Sequence, residues 1–444
     1  MSSFPRFPSM KCLAVLLGAV AVLAPALARA TPSLVIEVDS GKVLLAEEAT
    51  KPWYPASVSK LMTAYVTFRA IRAGRVTAQT LVTVSENAAA QKPSKMGFKV
   101  GTQVTIDNAL KMMLVKSAND IAVVLAEGVG GTLPGFVNEM NQAARDLGMT
   151  GTHYANPNGL PDPEQITTAR DLAVLARAIM TEFPEYEELF RIPAIKLGNG
   201  VIRNYNKLID RYPGADGMKT GFICASGFNL VASAKRGDKR VLVVVLGTNS
   251  GKERTEQAAL LLEKGFNHSW SVFAAAAPTV DSLRNEGGAP PDLRAQVCGG
   301  KRKNTASEAD DDSGPSATGF VASGMGDLGA NVTGASLLVN LPPSMPPVPV
   351  WVGPVPSQAA LDAAYPPPPA KKQDAKKPAA KPAAKPAAKD QPKTAANAAP
   401  KPPAKPAASA PAKPAAAPKP AAAPKPAASA APSYAPVPLP PPTP

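Results

Sequence analysis

The chain has 444 residues and a mass of 45.7 kDa, enough for two or three ordinary domains, but it contains 50 prolines and only 5% aromatic residues. Half of the prolines, 25 of them, lie in residues 366–444, where they alternate with alanine and lysine. A segment of this composition buries too little apolar surface to form a core. The sequence therefore predicts a disordered tail over 366–444 and a smaller folded part before it.

The formal net charge of +14 is concentrated at the two ends of the chain. The tail contains thirteen lysines and two aspartates, and Arg6, Lys11 and Arg29 add three positive charges near the start, so residues 31–365 are close to neutral. The basic composition therefore gives no reason to expect a nucleic-acid partner for the folded part. We expect the polycationic tail either to contact anionic polymers or lipid headgroups of the cell envelope weakly, or to be a passive solvated spacer.

The first thirty residues have the pattern of a secretory signal peptide. Arg6 and Lys11 precede the apolar run 13–27, which ends in Ala-Arg-Ala at 28–30, a typical cleavage site. The run is short for a membrane span, so cleavage is favoured over a retained anchor. We expect secretion across the cytoplasmic membrane to the periplasm or cell envelope. The proline-rich end of the chain is not compatible with an amphipathic membrane anchor.

Removal of the signal peptide leaves two cysteines, Cys224 and Cys298. Thiols outside the reducing cytoplasm tend to oxidise in pairs. We predict a disulfide between them, and the alternative is two free buried thiols. Closing a loop of this length contributes about 4 kcal/mol to stability if the bond is unstrained.

The periodicity of apolar residues in 31–268 predicts strands at both ends and helices between them. A hairpin over 33–47 begins the region, and strands at 229–235 and 240–246 precede a closing helix over 254–266. Further helices are predicted over 57–72, 107–128, 134–147 and 168–180, the last capped by Thr168. This order predicts an α/β (α+β) domain in which the first hairpin and the last strands pair in one antiparallel sheet flanked by helices. Residues 269–365, rich in glycine and proline, form either a small module or a partly ordered extension.

The first chemical motif is Ser57-x-x-Lys60 at the start of a predicted helix, where the two side chains lie one turn apart on the same face. A serine beside a neutral lysine can act as a nucleophile, and burial lowers the pKa of a lysine. On its own, a serine at a helix start followed by a lysine is more often a plain N-cap.

Two further motifs supply groups of the same chemistry. Ser117-x-Asn119 offers a hydroxyl relay and an amide that can bind a peptide carbonyl. The run Lys219-Thr220-Gly221 lies just before the last strand pair, so it is predicted to form an edge strand. There Lys219 and Thr220 can bind a carboxylate, and Gly221 allows a substrate backbone to approach closely.

Together and in this order, the three motifs resemble those of the penicillin-binding protein and serine β-lactamase superfamily. Their neighbourhoods resemble the low-molecular-weight D-alanyl-D-alanine carboxypeptidases over residues 31–268, in the runs 54–57, 61–63, 156–160, 168–171 and 216–221. The resemblance implies a β-lactamase/transpeptidase-like fold. It also implies a penicillin-sensitive serine enzyme that removes the terminal D-alanine from peptidoglycan stem pentapeptides and so regulates cell-wall cross-linking. β-Lactam antibiotics would be its covalent inhibitors, and no cofactor is implied.

The resemblance also implies catalytic roles, position by position. Ser57 would be the nucleophile and Lys60 its general base. Ser117 and Lys219 would relay the proton to the leaving D-alanine, and Asn119 would hold the peptide.

The remaining implied roles concern binding. Thr220 and Arg254 would bind the terminal carboxylate next to Gly221, although a structural salt bridge is an equal alternative for Arg254. The backbone N–H groups of Ser57 and Phe222 would form the oxyanion hole.

Three other functions compete with this interpretation. A D,D-endopeptidase that cleaves peptidoglycan cross-links has the same catalytic set. A β-lactamase needs a deacylating carboxylate, commonly Glu-x-x-x-Asn between the second and third motifs, and no glutamate there has asparagine four residues later. The third is a noncatalytic peptidoglycan-binding protein, and the intact motifs argue against it because such a protein does not need them. A metal site is not expected, because the two histidines, His153 and His268, have no paired ligand spacing.

Overall fold

The structure, a computed structural model, describes residues 31–268, 277–299 and 332–364. All of them belong to the first of two units of the chain, residues 1–369. The predicted signal peptide, 1–30, and the predicted tail, 366–444, lie outside the described residues.

Ten strands occur in the described residues. They are β1 (Ser33–Glu37), β2 (Val43–Glu47), β3 (Leu81–Thr83), β4 (Gln103–Thr105), β5 (Ala194–Leu197), β6 (Gly200–Arg203), β7 (Ala215–Ile223), β8 (Gly227–Arg236), β9 (Lys239–Thr248) and β10 (Val348–Val350). Five of these strands form the main antiparallel sheet in the order β2-β1-β9-β8-β7. This order confirms the α/β prediction that the first hairpin pairs with the last strands. It also places β7, which carries the third motif, at an edge.

The helices that accompany the sheet begin and end close to most of the predicted bounds. They are α1 (Lys60–Arg72), α2 (Glu86–Ala90), α3 (Ile106–Lys116), α4 (Asn119–Gly130), α5 (Leu133–Asp146), α6 (Ala169–Glu182), α7 (Glu187–Phe190), α8 (Gly251–Asn267), α9 (Arg294–Val297) and α10 (Gln358–Ala364). Within the described ranges no single helix is long and apolar enough to cross a membrane; α4 and α5 pass that test only as a pair bent by 87°.

The region 107–128 is helical as predicted, but it consists of two helices with Ser117 and Ala118 between them. Ser117 ends α3 with a left-handed backbone, φ 60°, and Ala118 is extended before α4 begins. The left-handed conformation is unfavourable for residues other than glycine, so tertiary contacts must hold it. Apolar residues recur at helical spacing through the break, because both helices bury their apolar faces on the same side of the domain. The periodicity therefore does not reveal the break.

The main sheet is covered on both faces. Along β9, Leu242, Val244 and Leu246 pack into the large core on the side of α6, whereas Val243 and Val245 pack into a second core against α8. A central strand with two buried faces reads as a continuous apolar run, as the sequence of β9 does. The sheet and the two cores fix the position of the edge strand β7 relative to the start of α1.

The described parts of the chain after residue 268 pack on this same body. Val280 is buried, and its carbonyl accepts a hydrogen bond from Arg170 Nε at 3.0 Å. Leu293 and Val297 also belong to the large core, and β10 pairs in parallel with β5. Cys224 and Cys298 are joined by a disulfide. The boundary at 268 stays a prediction, but segments on both sides of it share one core.

Candidate active site

Ser57 lies in a 3₁₀ turn, Ala56–Ser59, that leads directly into α1. Its neighbours Ala56, Val58 and Ser59 are fully buried, whereas Ser57 keeps partial access to solvent. Ala56 has a positive φ of 51°, an unfavourable conformation for alanine that turns the chain sharply before the serine. The residue that caps α1 is Ser59, so Ser57 is not the plain N-cap that such a motif usually provides.

Lys60 places its amine at the centre of the site. The side chain is fully buried, and Nζ contacts Ser57 Oγ at 2.9 Å, Asn119 Oδ1 at 2.7 Å and the carbonyl of Asn158 at 2.5 Å. Three oxygens from three separate parts of the chain therefore converge on one nitrogen. This arrangement orients the amine toward the serine hydroxyl and excludes water from its other sides.

The second motif reaches the site through the break between α3 and α4. The left-handed Ser117 directs its hydroxyl to Lys219, whose Nζ donates to Ser117 Oγ at 2.9 Å across 102 residues of sequence. Asn119, at the first position of α4, accepts from Lys60 and donates through Nδ2 to the carbonyl of Lys92 at 2.9 Å. The backbone conformation that interrupts the helix is thus the conformation that brings both side chains into the site.

The third motif lies on the edge strand β7, beside the 3₁₀ turn of Ser57. A Cβ added to Gly221 would stand 2.9 Å from the backbone nitrogen of Ser57 and 3.0 Å from that of Val58. The close approach of the Ser57 turn therefore requires a glycine at this position, whereas the predicted approach of a substrate backbone stays a prediction. Thr220 is buried, and its hydroxyl has no hydrogen-bond partner among the residues that the structure describes.

Asp216, which begins the run that leads to Lys219, holds β7 to the two strands beside it. Ser233 of β8 donates to one carboxylate oxygen, and Arg240 Nε of β9 lies 3.0 Å from the other. Burial raises the pKa of Asp216 despite these two favourable partners. The carboxylate is therefore a structural link behind the site and does not face the cleft.

An open cleft of about 630 Å³ lies in front of these groups. Of the predicted site residues, Ser57, Ser117, Asn119 and Phe222 line it. Lys60 and Lys219 lie behind them and reach the cleft through their contacts with the two serines. Cys224 of the disulfide also lines the cleft.

Arg254 is not among the described residues that line the cleft. It is buried at the start of α8, where its guanidinium lies 3.4 Å from the carbonyl of Asn229 and 5.6 Å from the ring centre of Phe228. Its first contacts are therefore with β8, immediately behind β7.

The sequence analysis did not identify two side chains that hold the residues around Ser57 in place. Asn229 of β8 donates to the carbonyls of Tyr54 and Pro55, just before the strained Ala56. Gln165 donates to Ser59 Oγ at 2.9 Å. A lone asparagine inside an apolar strand was the available signal for Asn229, since a buried amide needs partners; nothing comparable marked Gln165.

Ser57, in contact with the buried amine of Lys60, thus lies in a cleft beside β7, the edge strand of the main sheet. The family model described as D-alanyl-D-alanine carboxypeptidase, peptidase family S11, matches residues 19–250. The chain belongs to this family, and the resemblance seen in its motifs is confirmed.

Individual relatives agree with this assignment. The chain is 34% identical over 244 residues to the D-alanyl-D-alanine carboxypeptidase DacF of Bacillus subtilis, covering 54% of this chain and 62% of that protein. It is 37% identical to DacD of Salmonella typhimurium, covering 52% and 61%, and 32% identical to DacB2 of Mycobacterium tuberculosis, covering 52% and 81%. The chain thus spans about three fifths of the length of the first two.

Solved structures show the same fold. The D-alanyl-D-alanine carboxypeptidase DacD from Francisella tularensis superposes with a TM-score of 0.52 at 32% identity, covering 53% of this chain and 70% of that chain. Penicillin binding protein 5 from Haemophilus influenzae gives a TM-score of 0.51 at 33% identity with the same two coverages. The β-lactamase/transpeptidase-like fold expected from the motifs is therefore confirmed.

Proposed function

We propose that the chain is a serine D-alanyl-D-alanine carboxypeptidase that removes the terminal D-alanine from peptidoglycan stem pentapeptides. The observation that carries this proposal is the pair of serine–lysine contacts, Ser57 with Lys60 and Ser117 with Lys219, each at 2.9 Å on the wall of one cleft. Two hydroxyls, each beside an amine, provide one site for proton removal and a second for proton delivery.

In the acylation step, Ser57 Oγ attacks the carbonyl carbon between the two terminal D-alanines. If Lys60 is neutral, its two N–H bonds donate to Asn119 and to the carbonyl of Asn158, and its lone pair accepts the Ser57 proton. The distances of Nζ to the three oxygens, 2.9, 2.7 and 2.5 Å, allow this division of donors and acceptor.

The tetrahedral intermediate then loses D-alanine. The C–N bond breaks, the leaving nitrogen takes a proton through Ser117 and Lys219, and an ester remains on Ser57. The backbone N–H groups of Ser57 and Phe222 are proposed to stabilise the oxyanion, since both residues line the cleft. Water hydrolyses the ester and regenerates the serine.

The terminal carboxylate of the substrate is proposed to bind at Thr220, with Arg254 behind it. The buried, unpartnered Thr220 hydroxyl supports this role, because such a group is costly unless a ligand completes its hydrogen bonding. Arg254 contributes positive charge from its buried position at the start of α8, where it contacts β8. β-Lactams, which carry a carboxylate and an acylating carbonyl, are proposed as covalent inhibitors of the same cleft.

The test is release of D-alanine from a peptide ending in D-Ala-D-Ala by the purified full-length chain, with Ser57→Ala as the matched inactive variant. We expect release by the wild type and none by the variant. Covalent labelling of Ser57 by a penicillin without release of D-alanine would point to the endopeptidase alternative. Absence of both signals would contradict the proposal.

We further propose that the protein acts in the periplasm or cell envelope and that the lysine-rich tail contacts anionic envelope components. The composition of residues 1–30 and 366–444 supports this. Deletion of 366–444 is expected to reduce retention of the protein in an envelope fraction at low salt. Unchanged retention would contradict the role of the tail.

A further inference from the structure

One wall of the cleft is built by a segment outside the region matched by the family model. The segment 293–298 is held beside the end of β7 by three kinds of contact. Leu293 donates its backbone N–H to the carbonyl of Ala225 at 2.9 Å, Leu293 and Val297 are buried in the large core, and Cys298 is bonded to Cys224. Its position beside the cleft is therefore fixed by backbone, apolar and covalent contacts.

Arg294 is the residue of this segment that lines the cleft. Its guanidinium donates to Asp292 at 2.7 Å, and the two side chains are 62% and 50% exposed. An ion pair at this exposure contributes little to stability, about 0–1 kcal/mol. Arg294 can therefore exchange Asp292 for a ligand carboxylate, or bind both, at little cost.

The charge of the cleft favours an anionic ligand. Arg294 shares the described lining with Lys92, Lys95 and Lys116, and the described residues that line the cleft include no aspartate or glutamate. Lys95 donates to the carbonyl of Ala89, which holds its amine in place beside the cleft. A concave surface lined by positive charges attracts anions and orients them during binding.

The proposed binding mode determines which part of a peptide Arg294 meets. If the terminal carboxylate binds at Thr220 and the reacting carbonyl lies at Ser57 beside Gly221, the rest of the peptide must continue along Phe222 and Ile223. Each extended residue covers about 3.3 Å, so the end of β7 lies one to two substrate residues beyond the scissile bond. Arg294, attached at this end, therefore faces the acyl side of the substrate and not its leaving D-alanine.

We propose that Arg294 is a specificity-determining residue. It binds a free carboxylate on the part of the substrate that is transferred to Ser57. This carboxylate lies one or two residues before the penultimate D-alanine, which is the acyl D-alanine. This inference rests on the proposed carboxypeptidase function. The disulfide and the two buried apolar residues act as positioning groups that hold Arg294 in reach of the peptide.

The test compares two pairs of acetylated peptides that end in D-Ala-D-Ala. Within a pair the peptides differ only by glutamate or glutamine, placed one residue before the acyl D-alanine in the first pair and two residues before it in the second. The kcat/KM for D-alanine release is measured for the full-length wild type, Arg294→Gln, Arg294→Lys and Arg284→Gln. Arg284 is an exposed arginine outside the cleft lining. Arg284→Gln therefore removes the same charge as Arg294→Gln without changing the cleft.

We expect the wild type to prefer the glutamate peptide of at least one pair by about tenfold, as for a charge-assisted hydrogen bond in a partly exposed site. Arg294→Gln should remove this preference by raising KM for the glutamate peptide, with the glutamine peptide unchanged. Arg294→Lys should keep part of it, since lysine retains the charge but not the bidentate geometry. Arg284→Gln should behave like the wild type.

Three results would overturn the inference. The first is absence of any glutamate preference in a wild type that releases D-alanine, and the second is an equal loss of activity toward both members of a pair in Arg294→Gln, which would indicate a structural role. The third is a wild type that releases no D-alanine from any of the four peptides, which would overturn the proposed function at the same time. The first two leave the proposed function intact.

Discussion

Gly221→Ala offers a sharp test of how the site is assembled. The new Cβ would lie 2.9 Å from Ser57 N, 3.0 Å from Val58 N and 3.1 Å from the carbonyl oxygen of Pro55. All three neighbours are backbone atoms, so none can move aside by changing a rotamer. Gly221 does not have a positive φ, which means that alanine is conformationally acceptable and the effect is purely steric.

The clash must be relieved by separating β7 from the turn that carries Ser57. An ordinary carbon contact begins near 3.4 Å, so a displacement of about 0.4–0.5 Å is needed. Overpacking of this kind costs about 1–3 kcal/mol of folding stability. Misplacement of reacting groups by about 1 Å lowers rates by about 10²-fold, so we expect acylation of Ser57 to slow by about tenfold or more.

The assay is the rate of covalent labelling by a fluorescent penicillin, measured together with the thermal midpoint Tm. Gly287→Ala is the matched control, because a Cβ there meets nothing within 4 Å and its φ is also not positive. We expect the control to match the wild type in both measurements. Labelling of Gly221→Ala at the wild-type rate with an unchanged Tm would refute the steric argument.

Three further predictions follow from particular contacts. Thr220→Val should leave the free energy of unfolding unchanged or raise it by about 1 kcal/mol, since it removes a buried hydroxyl with no partner, while raising KM for a peptide with a free terminal carboxylate; a loss of stability in chemical denaturation would contradict this. Hydrogen bonds from Arg236 lower the pKa of Glu263 below its ordinary value of 4.5, so the ion pair stabilises the fold above about pH 4.5 and this stabilisation is lost as the pH falls through the lowered pKa. Glu263→Gln should therefore be less stable than the wild type by up to about 1 kcal/mol at pH 7, and the difference in denaturation midpoint should shrink below pH 4.5; a difference independent of pH would exclude the charge as its cause. Replacing Cys224 and Cys298 by serine opens a loop of 74 residues and should lower the free energy of unfolding by up to about 4 kcal/mol, whereas an unchanged Tm in both the double variant and the reduced wild type would show that the bond contributes nothing.

Several features of the fold were predictable from local patterns. The hairpin of β1 and β2, the strands β8 and β9 and the helix α6 with its Thr168 cap follow from alternation, turn residues and capping chemistry, which act over a few neighbouring residues. The break at Ser117 did not follow, because its left-handed backbone is held by contacts from distant parts of the chain.

The candidate site, too, was predictable where it depends on neighbouring residues and not where it depends on distant ones. Ser57 and Lys60 are one turn apart in sequence, so their contact could be predicted, and the order of the three motifs pointed to one cleft. The contact of Lys219 with Ser117 spans 102 residues, and no local rule gives its distance. The packing of Gly221 against the turn of Ser57 could not be predicted, since the sequence does not show that this turn lies beside that strand.

The sequence by itself determined the elements, their periodicity and the chemical identity of the motifs, because these depend on side chains within one turn or one hairpin of each other. Only the tertiary structure decided which side chains line the cleft and which lie behind that lining, as Lys60 and Lys219 do. It also showed that Arg294 forms part of the cleft wall. These features depend on how the edge strand β7, the helix break and the segment 293–298 are held against each other by the core and by the link between Cys224 and Cys298. Contacts of this kind join residues far apart in the chain, and their geometry is set by the packing of the whole domain.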